Sequence, residues 1–172
     1  LLLEAVDVFR RDEDLDVLII TGVGNLSFCA GADLKALNGL LQRPGAEATG
    51  PMGVSRITDL PKPVIAAVNG YCLAGGLELA CWCDFRIADS TATFGVLNRR
   101  WGVPLIDGGT QRLPQIVGLG NALYLIETGA QIDATHALRM GLAQEVVPPG
   151  EALGRALELA EASTASGDVA EF

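Results

Sequence analysis

The chain has 172 residues, 49% of them hydrophobic, and a mean hydropathy of +0.34, which is enough apolar material for one domain with a core. Twelve basic and 21 acidic residues give a net charge of −9, and there is no run of Lys or Arg. This charge pattern excludes a typical nucleic-acid-binding protein. An anionic small ligand is not excluded, because backbone N–H groups and a few local cations can bind it.

The cysteines and the apolar segments argue against metal binding, secretion and membrane insertion. No CxxC spacing or nearby His accompanies the four cysteines, so we expect no metal site and the reduced thiols of a cytoplasmic protein. The sequence opens on Leu1 without a basic segment, and no signal peptide is predicted. The apolar run from Val64 to Cys83 contains Asn69, Glu78 and several glycines, which favours a buried strand, turn and helix over a membrane span.

Short apolar runs predict two buried strands in the first half of the chain. They follow an amphipathic helix, which is predicted to end at the charged stretch 10–16. Val17 to Ile20 and Val64 to Val68 are rich in β-branched residues and predict strands buried on both faces. A helix is expected after the Gly31-Ala32-Asp33 turn, and the stretch from Asn38 to Gly53 is expected to be a mobile loop or lid.

The second half alternates short strands and helices. The expected strands are Phe85 to Ala88, Ala92 to Phe94 and Gln144 to Val147, and the expected helices are Leu77 to Cys83, Gly109 to Val117, Gly120 to Glu127, Asp133 to Met140 and Glu151 to Ala162. No internal repeat or linker interrupts this pattern. The sequence therefore predicts one α/β domain of repeated strand, strand and helix.

Two common catalytic motifs do not fit the sequence. Gly22-Val23-Gly24 follows a strand, but Ser27 stands where a dinucleotide-binding loop requires its third glycine. There is no GxSxG turn and no Walker loop, and a Ser/His/Asp hydrolase would depend on His136, the one histidine, which is predicted on a helix surface. Neither a nucleotide cofactor nor a hydrolase triad is predicted.

Two glycine-bearing turns follow the two buried strands and carry the candidate binding groups. They span residues 28–33 (FCAGAD) and 69–76 (NGYCLAGG), and each is expected to lead into a helix. Free N–H groups at a helix start carry partial positive charge, and small side chains let a ligand approach the backbone. The turns are candidate sites for an anion or a developing oxyanion. Taken singly, each is more simply a tight turn, with Asp33 as a helix N-cap.

In order, spacing and identity, segments 28–34, 61–84 and 94–113 together resemble the enoyl-CoA hydratase/isomerase (crotonase) superfamily. The resemblance implies the crotonase fold, which is an α/β, ClpP/crotonase-like spiral of ββα units. It implies that the N–H groups of Ala30 and Gly75 form an oxyanion hole for the thioester of an acyl-CoA substrate. It further implies that the bound CoA substrate passes along Ala32, Asp33, Leu34 and Gly76.

Three side chains near these turns are the candidate catalytic groups. Glu78 matches the first of the two catalytic glutamates in hydratases of the family, although alone it is also an acid favoured by the helix dipole. Asn98 stands at the place of the second glutamate, and an amide orients water but does not exchange a proton near neutral pH. Asp107 either supplies the missing carboxylate or caps the helix that follows it.

The resemblance implies an enoyl-CoA hydratase-like lyase that needs no metal and no cofactor beyond the coenzyme A of its substrate. It also implies a homotrimer or a dimer of trimers, and we expect no nucleic-acid or membrane partner. Two alternatives stay open: isomerisation of an enoyl-CoA double bond with one carboxylate, and acyl-CoA binding without turnover. Residues 1–172 are expected to form a single domain that lacks the family's N-terminal hairpin and part of its C-terminal helical region.

Overall fold

The computed structural model describes residues 1–35, 39, 42, 44–164 and 169–171, and its strands form two sheets. The first sheet has the order β8-β5-β3-β1-β9 and is parallel, with β1 (Val17–Thr21), β3 (Val64–Val68), β5 (Phe85–Asp89), β8 (Glu145–Val147) and β9 (Val169–Glu171). The second has the order β2-β4-β6-β7, with β2 (Ser27–Cys29), β4 (Tyr71–Leu73), β6 (Thr93–Gly95) and β7 (Gln131–Asp133).

Eight helices complete the described part of the chain. They are α1 (Leu2–Arg11), α2 (Ala46–Thr49), α3 (Gly75–Trp82), α4 (Asn98–Trp101), α5 (Gly109–Val117), α6 (Leu119–Thr128), α7 (Ala134–Met140) and α8 (Ala152–Ser163). Up to β6, successive strands alternate between the two sheets, and α3 follows the second pair of strands. This succession is the predicted spiral of ββα units, so the predicted fold class is confirmed.

Strands β1 and β3 of the first sheet are buried on both faces, as their apolar residues predict. Alternate side chains of a strand point to opposite faces, so β1 and β3 contribute to two separate clusters. Leu18 and Ile20 belong to the main core, whereas Val17 and Ile19 face a second cluster that contains the α8 alanines Ala152, Ala156 and Ala160. The small alanine side chains let α8 pack closely against that face.

The second sheet positions the candidate site. Strands β2, β4 and β6 are neighbours and run parallel, so their carboxyl ends lie at the same edge of the sheet. The residues that leave this edge are Ala30 after β2, the Ala74-Gly75 pair after β4, and Asn98 shortly after β6. Three candidate segments that are far apart in sequence are therefore brought to one edge.

The structure differs from the sequence prediction mainly in its shortest elements. Strands β2, β4, β7 and β9 and helices α2 and α4 were not predicted, because three or four residues are too few to show a period. The helix expected after Asp33 and much of the loop expected from Asn38 to Gly53 lie outside the described residues. Of that loop, residues 44–53 include α2.

Three further findings concern the cysteines and the helices. All four cysteines are free thiols: Cys29, Cys72, Cys81 and Cys83. In the described part of the chain, no helix has both the length and the apolarity that crossing a membrane requires. The prediction that His136 lies on a helix surface is confirmed, since it is exposed on α7.

A buried arginine fixes the carboxyl end of α3. Arg86, 2% exposed, donates to the carbonyl oxygens of Ala80 at 3.2 Å and Cys83 at 3.0 Å, and to the Gln144 side chain at 3.1 Å. Burial lowers the pKa of this guanidinium, and the partially negative helix end stabilises its charge. Arg86 therefore joins α3, which carries Glu78, to the segment that leads into β8.

We predict that Arg86→Met lowers the free energy of unfolding by about 2–4 kcal/mol, because several buried carbonyl groups lose a charged donor. Urea denaturation measures the loss. Arg139→Met is the control, since Arg139 is exposed in the last turn of α7 and its replacement should change stability by about 0.5 kcal/mol or less. Equal losses in the two variants would contradict the assignment.

Candidate active site

A cleft of about 480 Å³ opens where β2, β4 and β6 end. Its wall is largely apolar, with Leu73, Val103 and Ile106 among its residues. It contains most of the predicted site residues, namely Ala30, Ala32, Leu34, Gly75, Glu78, Asn98 and Asp107. Apolar walls around a few convergent polar groups are typical of a small-molecule site.

The two glycine-bearing turns contact each other at the cleft. A Cβ atom added to Gly31 would lie 2.9 Å from the Gly75 nitrogen, and one added to Gly75 would lie 3.3 Å from Gly31 Cα. Gly31 also has a φ of +89°, a conformation that favours glycine. Among the described residues, the N–H groups of Ala30 and Gly75 donate to no turn, loop or side-chain acceptor. Both residues line the cleft, so these two N–H groups lie on one wall.

The backbone just before Gly75 is strained. Ala74 has φ 52° and ψ −121°, and within the described ranges no other residue except glycine has a positive φ. Its N–H donates to Gly95 at 2.9 Å, and its carbonyl accepts from Leu77 at 3.0 Å, so both sides of the residue are held. Such a conformation costs about 1–3 kcal/mol and persists where the surroundings enforce it. The Ala74 conformation therefore sets the direction in which α3 and the Gly75 N–H group leave β4.

Glu78 lies in the first turn of α3, and its carboxylate reaches the cleft. The residue is 3% exposed, and its Oε1 accepts hydrogen bonds from the N–H groups of Asp107 and Gly109, each at 2.9 Å. A Cβ added to Gly109 would lie 2.9 Å from Glu78 Cγ, so glycine permits the close approach. The carboxylate therefore interacts with a distant segment, which a helix-dipole role alone does not require.

Burial raises the pKa of Glu78 above its ordinary value of 4.5. The two N–H groups that donate to the carboxylate act in the opposite direction, and the nearby Asp107 charge adds to the increase. A carboxyl group whose pKa moves towards neutral exchanges protons more readily at physiological pH. The site thus contains a carboxyl group suited to proton transfer.

Asp107 is buried and joins the cleft to the segment that follows α2. Its Oδ1 accepts from the Met52 N–H at 2.9 Å and from the Ser55 hydroxyl. The N-cap of α5 is Gly108, and no side chain caps that helix, so the alternative that Asp107 is its N-cap is wrong. The capping geometry fails because the Asp107 side chain is directed at residues 52–55 instead.

Asn98 begins α4 on the cleft wall and is 8% exposed. Its Nδ2 donates to the Pro104 carbonyl at 3.2 Å, whereas its buried Oδ1 has no hydrogen-bond partner in the part of the chain that the structure describes. Buried acceptors without a donor are rare in folded proteins. This amide oxygen is therefore a candidate contact for a ligand.

The remaining predicted residues divide between cleft and periphery. Ala32 and Leu34 line the cleft, as expected for contacts with a ligand. Asp33 and Gly76 are not part of its wall. The Asp33 Oδ1 accepts from the Lys35 N–H at 2.9 Å, which makes a local turn, and Gly76 is buried against Cys29. For these two residues a contact with substrate stays a prediction.

Several residues of the site were not foreseen from the sequence. Arg112 donates to the carbonyl oxygens of Asp107 at 2.9 Å and Ser55 at 2.6 Å, which holds the two segments together. Met52 and Trp101 line the cleft, and Trp101 is 69% exposed. Ser55 lies in a stretch without periodicity, and its carboxylate partner is 52 residues away, so no local signal indicated it.

The comparisons agree with the predicted family and fold. A sequence model of the family described as Enoyl-CoA hydratase/isomerase matches residues 2–170, and the chain belongs to this family. It is 43% identical to the crotonyl-CoA hydratase of Syntrophomonas wolfei over 169 residues, which cover 97% of the chain and 65% of that protein. It is 42% identical to the short-chain-enoyl-CoA hydratase of Clostridium acetobutylicum, with 94% and 62% covered. The chain thus spans less than two thirds of the length of these relatives.

Solved structures give the same result. The structure of Pseudomonas aeruginosa DspI superposes with a TM-score of 0.83 at 39% identity, covering 92% of this chain and 61% of that one. The enoyl-CoA hydratase of Mycobacterium tuberculosis H37Rv superposes with a TM-score of 0.81 at 40% identity, covering 94% and 67%. The crotonase fold inferred from the residues is therefore confirmed by structural similarity.

We predict opposite effects of alanine at two helical glycines. A Cβ at Gly76 would lie 1.9 Å from the Cys29 carbonyl oxygen, so Gly76→Ala forces α3 away from β2 and should cost about 1–3 kcal/mol of stability. Gly120 in α6 has no atom within 4 Å of the added Cβ, so Gly120→Ala should stabilise by about 0.4–1 kcal/mol. Thermal denaturation of both variants tests this, and a harmless Gly76→Ala would refute the close packing.

Proposed function

We propose that this chain carries the active site of an enoyl-CoA hydratase-like lyase that acts on acyl-CoA thioesters. The observation that supports this most is the juxtaposition of the backbone of Ala30 and Gly75 with the buried carboxyl group of Glu78 in one cleft. Two donors and a proton-exchanging group are the components that addition to a conjugated thioester requires. Relatives named as enoyl-CoA hydratases support the same substrate class.

In this proposal the thioester oxygen of the substrate accepts hydrogen bonds from the Ala30 and Gly75 N–H groups. Addition of a nucleophile to C3 of a 2-enoyl thioester moves negative charge onto that oxygen and gives an enolate. Donors that are already in place stabilise the charge as it develops, an effect of about 3–4 kcal/mol per donor in other oxyanion holes. The strained Ala74 backbone fixes the direction of one of these donors.

Glu78 carries out both proton steps in turn. Its carboxylate accepts a proton from water while the water oxygen bonds to C3, and the carboxylic acid then returns that proton to C2 as the enolate collapses. The product is a 3-hydroxyacyl thioester, and Glu78 ends as the carboxylate with which it began. A pKa raised by burial suits both halves of this exchange.

Asn98 and Asp107 assist this step in different ways. Asn98 orients the water, since an amide accepts and donates hydrogen bonds without exchanging a proton near neutral pH. The Asp107 carboxylate adds negative charge beside Glu78 and so strengthens it as a base. Its Oδ1 is already engaged by Met52 and Ser55, which favours this supporting role over direct proton transfer.

The rest of the proposal concerns binding and assembly. Ala32 and Leu34, together with Asp33 and Gly76 at the periphery, are proposed to border the path of the bound coenzyme A. No metal or further cofactor is required, because the backbone donors supply the electrophilic assistance. A single crotonase-type domain of a cytoplasmic homotrimer or dimer of trimers is the assembly that the family resemblance favours.

Isomerisation of an enoyl-CoA double bond is the second candidate. It requires only that one carboxyl group remove a proton from C2 of a 3-enoyl thioester and return it to C4, with the same enolate between. Asn98 at the place of a second glutamate favours this alternative, because Glu78 suffices for it.

We predict that Glu78→Gln lowers kcat by about 10²–10⁴-fold while the affinity for crotonyl-CoA persists. Glutamine keeps an oxygen for the Asp107 and Gly109 N–H groups but cannot exchange a proton. Steady-state kinetics and calorimetric binding provide the two measurements, with Glu127→Gln on the exposed face of α6 as the control. Unchanged turnover would contradict the role of Glu78. Binding without turnover in the unmodified chain would instead indicate an acyl-CoA-binding homologue.

Two substrates in heavy water distinguish hydration from isomerisation. We expect crotonyl-CoA to lose its conjugated absorbance and to gain deuterium at C2, because water adds across the double bond. A 3-enoyl-CoA incubated separately should show little change. Appearance of conjugated absorbance from the 3-enoyl substrate, with crotonyl-CoA unaltered, would establish the isomerase instead.

A further inference from the structure

A buried hydroxyl group joins the segment that follows α2 to the residue beside Glu78. Ser55 is 4% exposed, and its hydroxyl group donates to the Oδ1 of Asp107, which is itself buried. A Cβ atom added to Gly50 would lie 2.0 Å from the Ser55 Oγ, so the turn after α2 encloses the hydroxyl group from another side. The hydroxyl group is therefore confined to its contact with Asp107.

The donors around Oδ1 favour the charged form of Asp107. The Met52 N–H donates to the same oxygen at 2.9 Å, and a backbone N–H acts only as a donor. Two donors on one oxygen stabilise a carboxylate more than a carboxylic acid. The Ser55 hydroxyl group is the one of the two that a side-chain substitution removes.

Asp107 in turn acts on Glu78. The Asp107 N–H donates to the Glu78 Oε1 at 2.9 Å, so the residue that carries the charge also contacts the catalytic carboxyl group. Burial raises the pKa of Glu78 most, and the negative charge of Asp107 raises it further. The charge on Asp107 therefore makes Glu78 a stronger base.

The ionisable side chains that adjoin this pair do not replace that effect. Burial raises the pKa of Cys81 to about 12, so its thiol stays uncharged near neutral pH. Arg112 donates to the carbonyl oxygens of Ser55 and Asp107, and Arg56 donates to the carbonyl oxygen of Glu47. Their hydrogen bonds therefore go to backbone oxygens.

Building on the proposed function, we propose that Ser55 is a positioning residue of the active site, whose hydroxyl group holds Asp107 in its charged form beside Glu78. Ser55 is not part of the cleft wall, so it acts on the reaction through Asp107 and not by contact with the substrate. Its hydroxyl group thereby makes Glu78 a stronger base. A residue that only supported the fold would leave the titration of Glu78 unchanged.

A single substitution isolates the hydroxyl group. Arg112 donates to the carbonyl oxygens of Ser55 at 2.6 Å and Asp107 at 2.9 Å, and the Met52 N–H also contacts Asp107. None of these hydrogen bonds involves the Ser55 side chain. Ser55→Ala therefore removes one donor while the two segments stay joined.

The first measurement is the titration of Glu78 itself. It is followed by NMR on protein labelled with ¹³C at the glutamate side-chain carboxyl carbon, with the Glu78 signal identified by its absence from Glu78→Gln. We expect the midpoint to move to lower pH in Ser55→Ala and in Asp107→Asn, because the negative charge beside Glu78 is weakened or removed. Combining the two substitutions should move it no further than Asp107→Asn alone, since Ser55 acts through Asp107.

The second measurement is the pH profile of kcat/KM with crotonyl-CoA. In Ser55→Ala the ratio of kcat/KM at about pH 5 to that at about pH 8 should rise about two- to threefold, because Glu78 loses its proton at a lower pH. Ser163→Ala is the matched control, since its exposed hydroxyl group at the end of α8 contacts only the Leu159 carbonyl of the same helix. The control should leave both measurements unchanged.

The outcomes separate this proposal from the proposed function. A Glu78 midpoint that Ser55→Ala leaves unchanged or moves to higher pH overturns the role of Ser55, even where Asp107→Asn lowers it. Additive shifts in the double variant overturn the route through Asp107. Absence of turnover with both crotonyl-CoA and a 3-enoyl-CoA overturns the proposed function, and the NMR titration then still decides whether the hydroxyl group acts on Glu78.

Discussion

The contact between Gly76 and the Cys29 carbonyl is the constraint on which the rest of the site depends. Because a Cβ atom at position 76 would lie 1.9 Å from that oxygen, α3 packs directly against the end of β2. This packing brings the Gly75 N–H beside the turn that contains Ala30. Three residues further along the same helix, in its first turn, Glu78 lines the same cleft. A single close approach of two backbones therefore positions donors and acid together.

The second constraint is electrostatic, since two carboxyl groups are buried close to each other. Both are held by uncharged donors: Glu78 by two backbone N–H groups, and Asp107 by the Met52 N–H and the Ser55 hydroxyl. Within the described residues neither forms a salt bridge, and the nearby Arg112 donates to carbonyl oxygens instead. A cation bound to the two carboxyl groups would lower their basicity. Because Arg112 donates to carbonyl oxygens instead, the carboxyl groups stay suited to accepting protons.

Much of this arrangement could be predicted from the sequence, but the connections between segments could not. The apolar strands β1 and β3 and the periodic helix α5 were predicted nearly to the residue. In these elements the run or period of apolar residues in the sequence indicates directly which side chains are buried. Strands β2 and β4 were interpreted as turns, since three residues do not reveal alternation. The pairing of Asp107 with Ser55 depends on tertiary packing over 52 positions, and neither residue has a neighbour in sequence that indicates the other.

The two tryptophans differ in a way that is useful for experiments. The Trp82 indole is buried, donates to the Ile57 carbonyl at 2.8 Å and is not part of the cleft wall. Trp101 lines the cleft and is largely exposed. The chain therefore contains an intrinsic optical reporter of occupancy together with an internal reference, and fluorescence emission alone can follow ligand binding without a label.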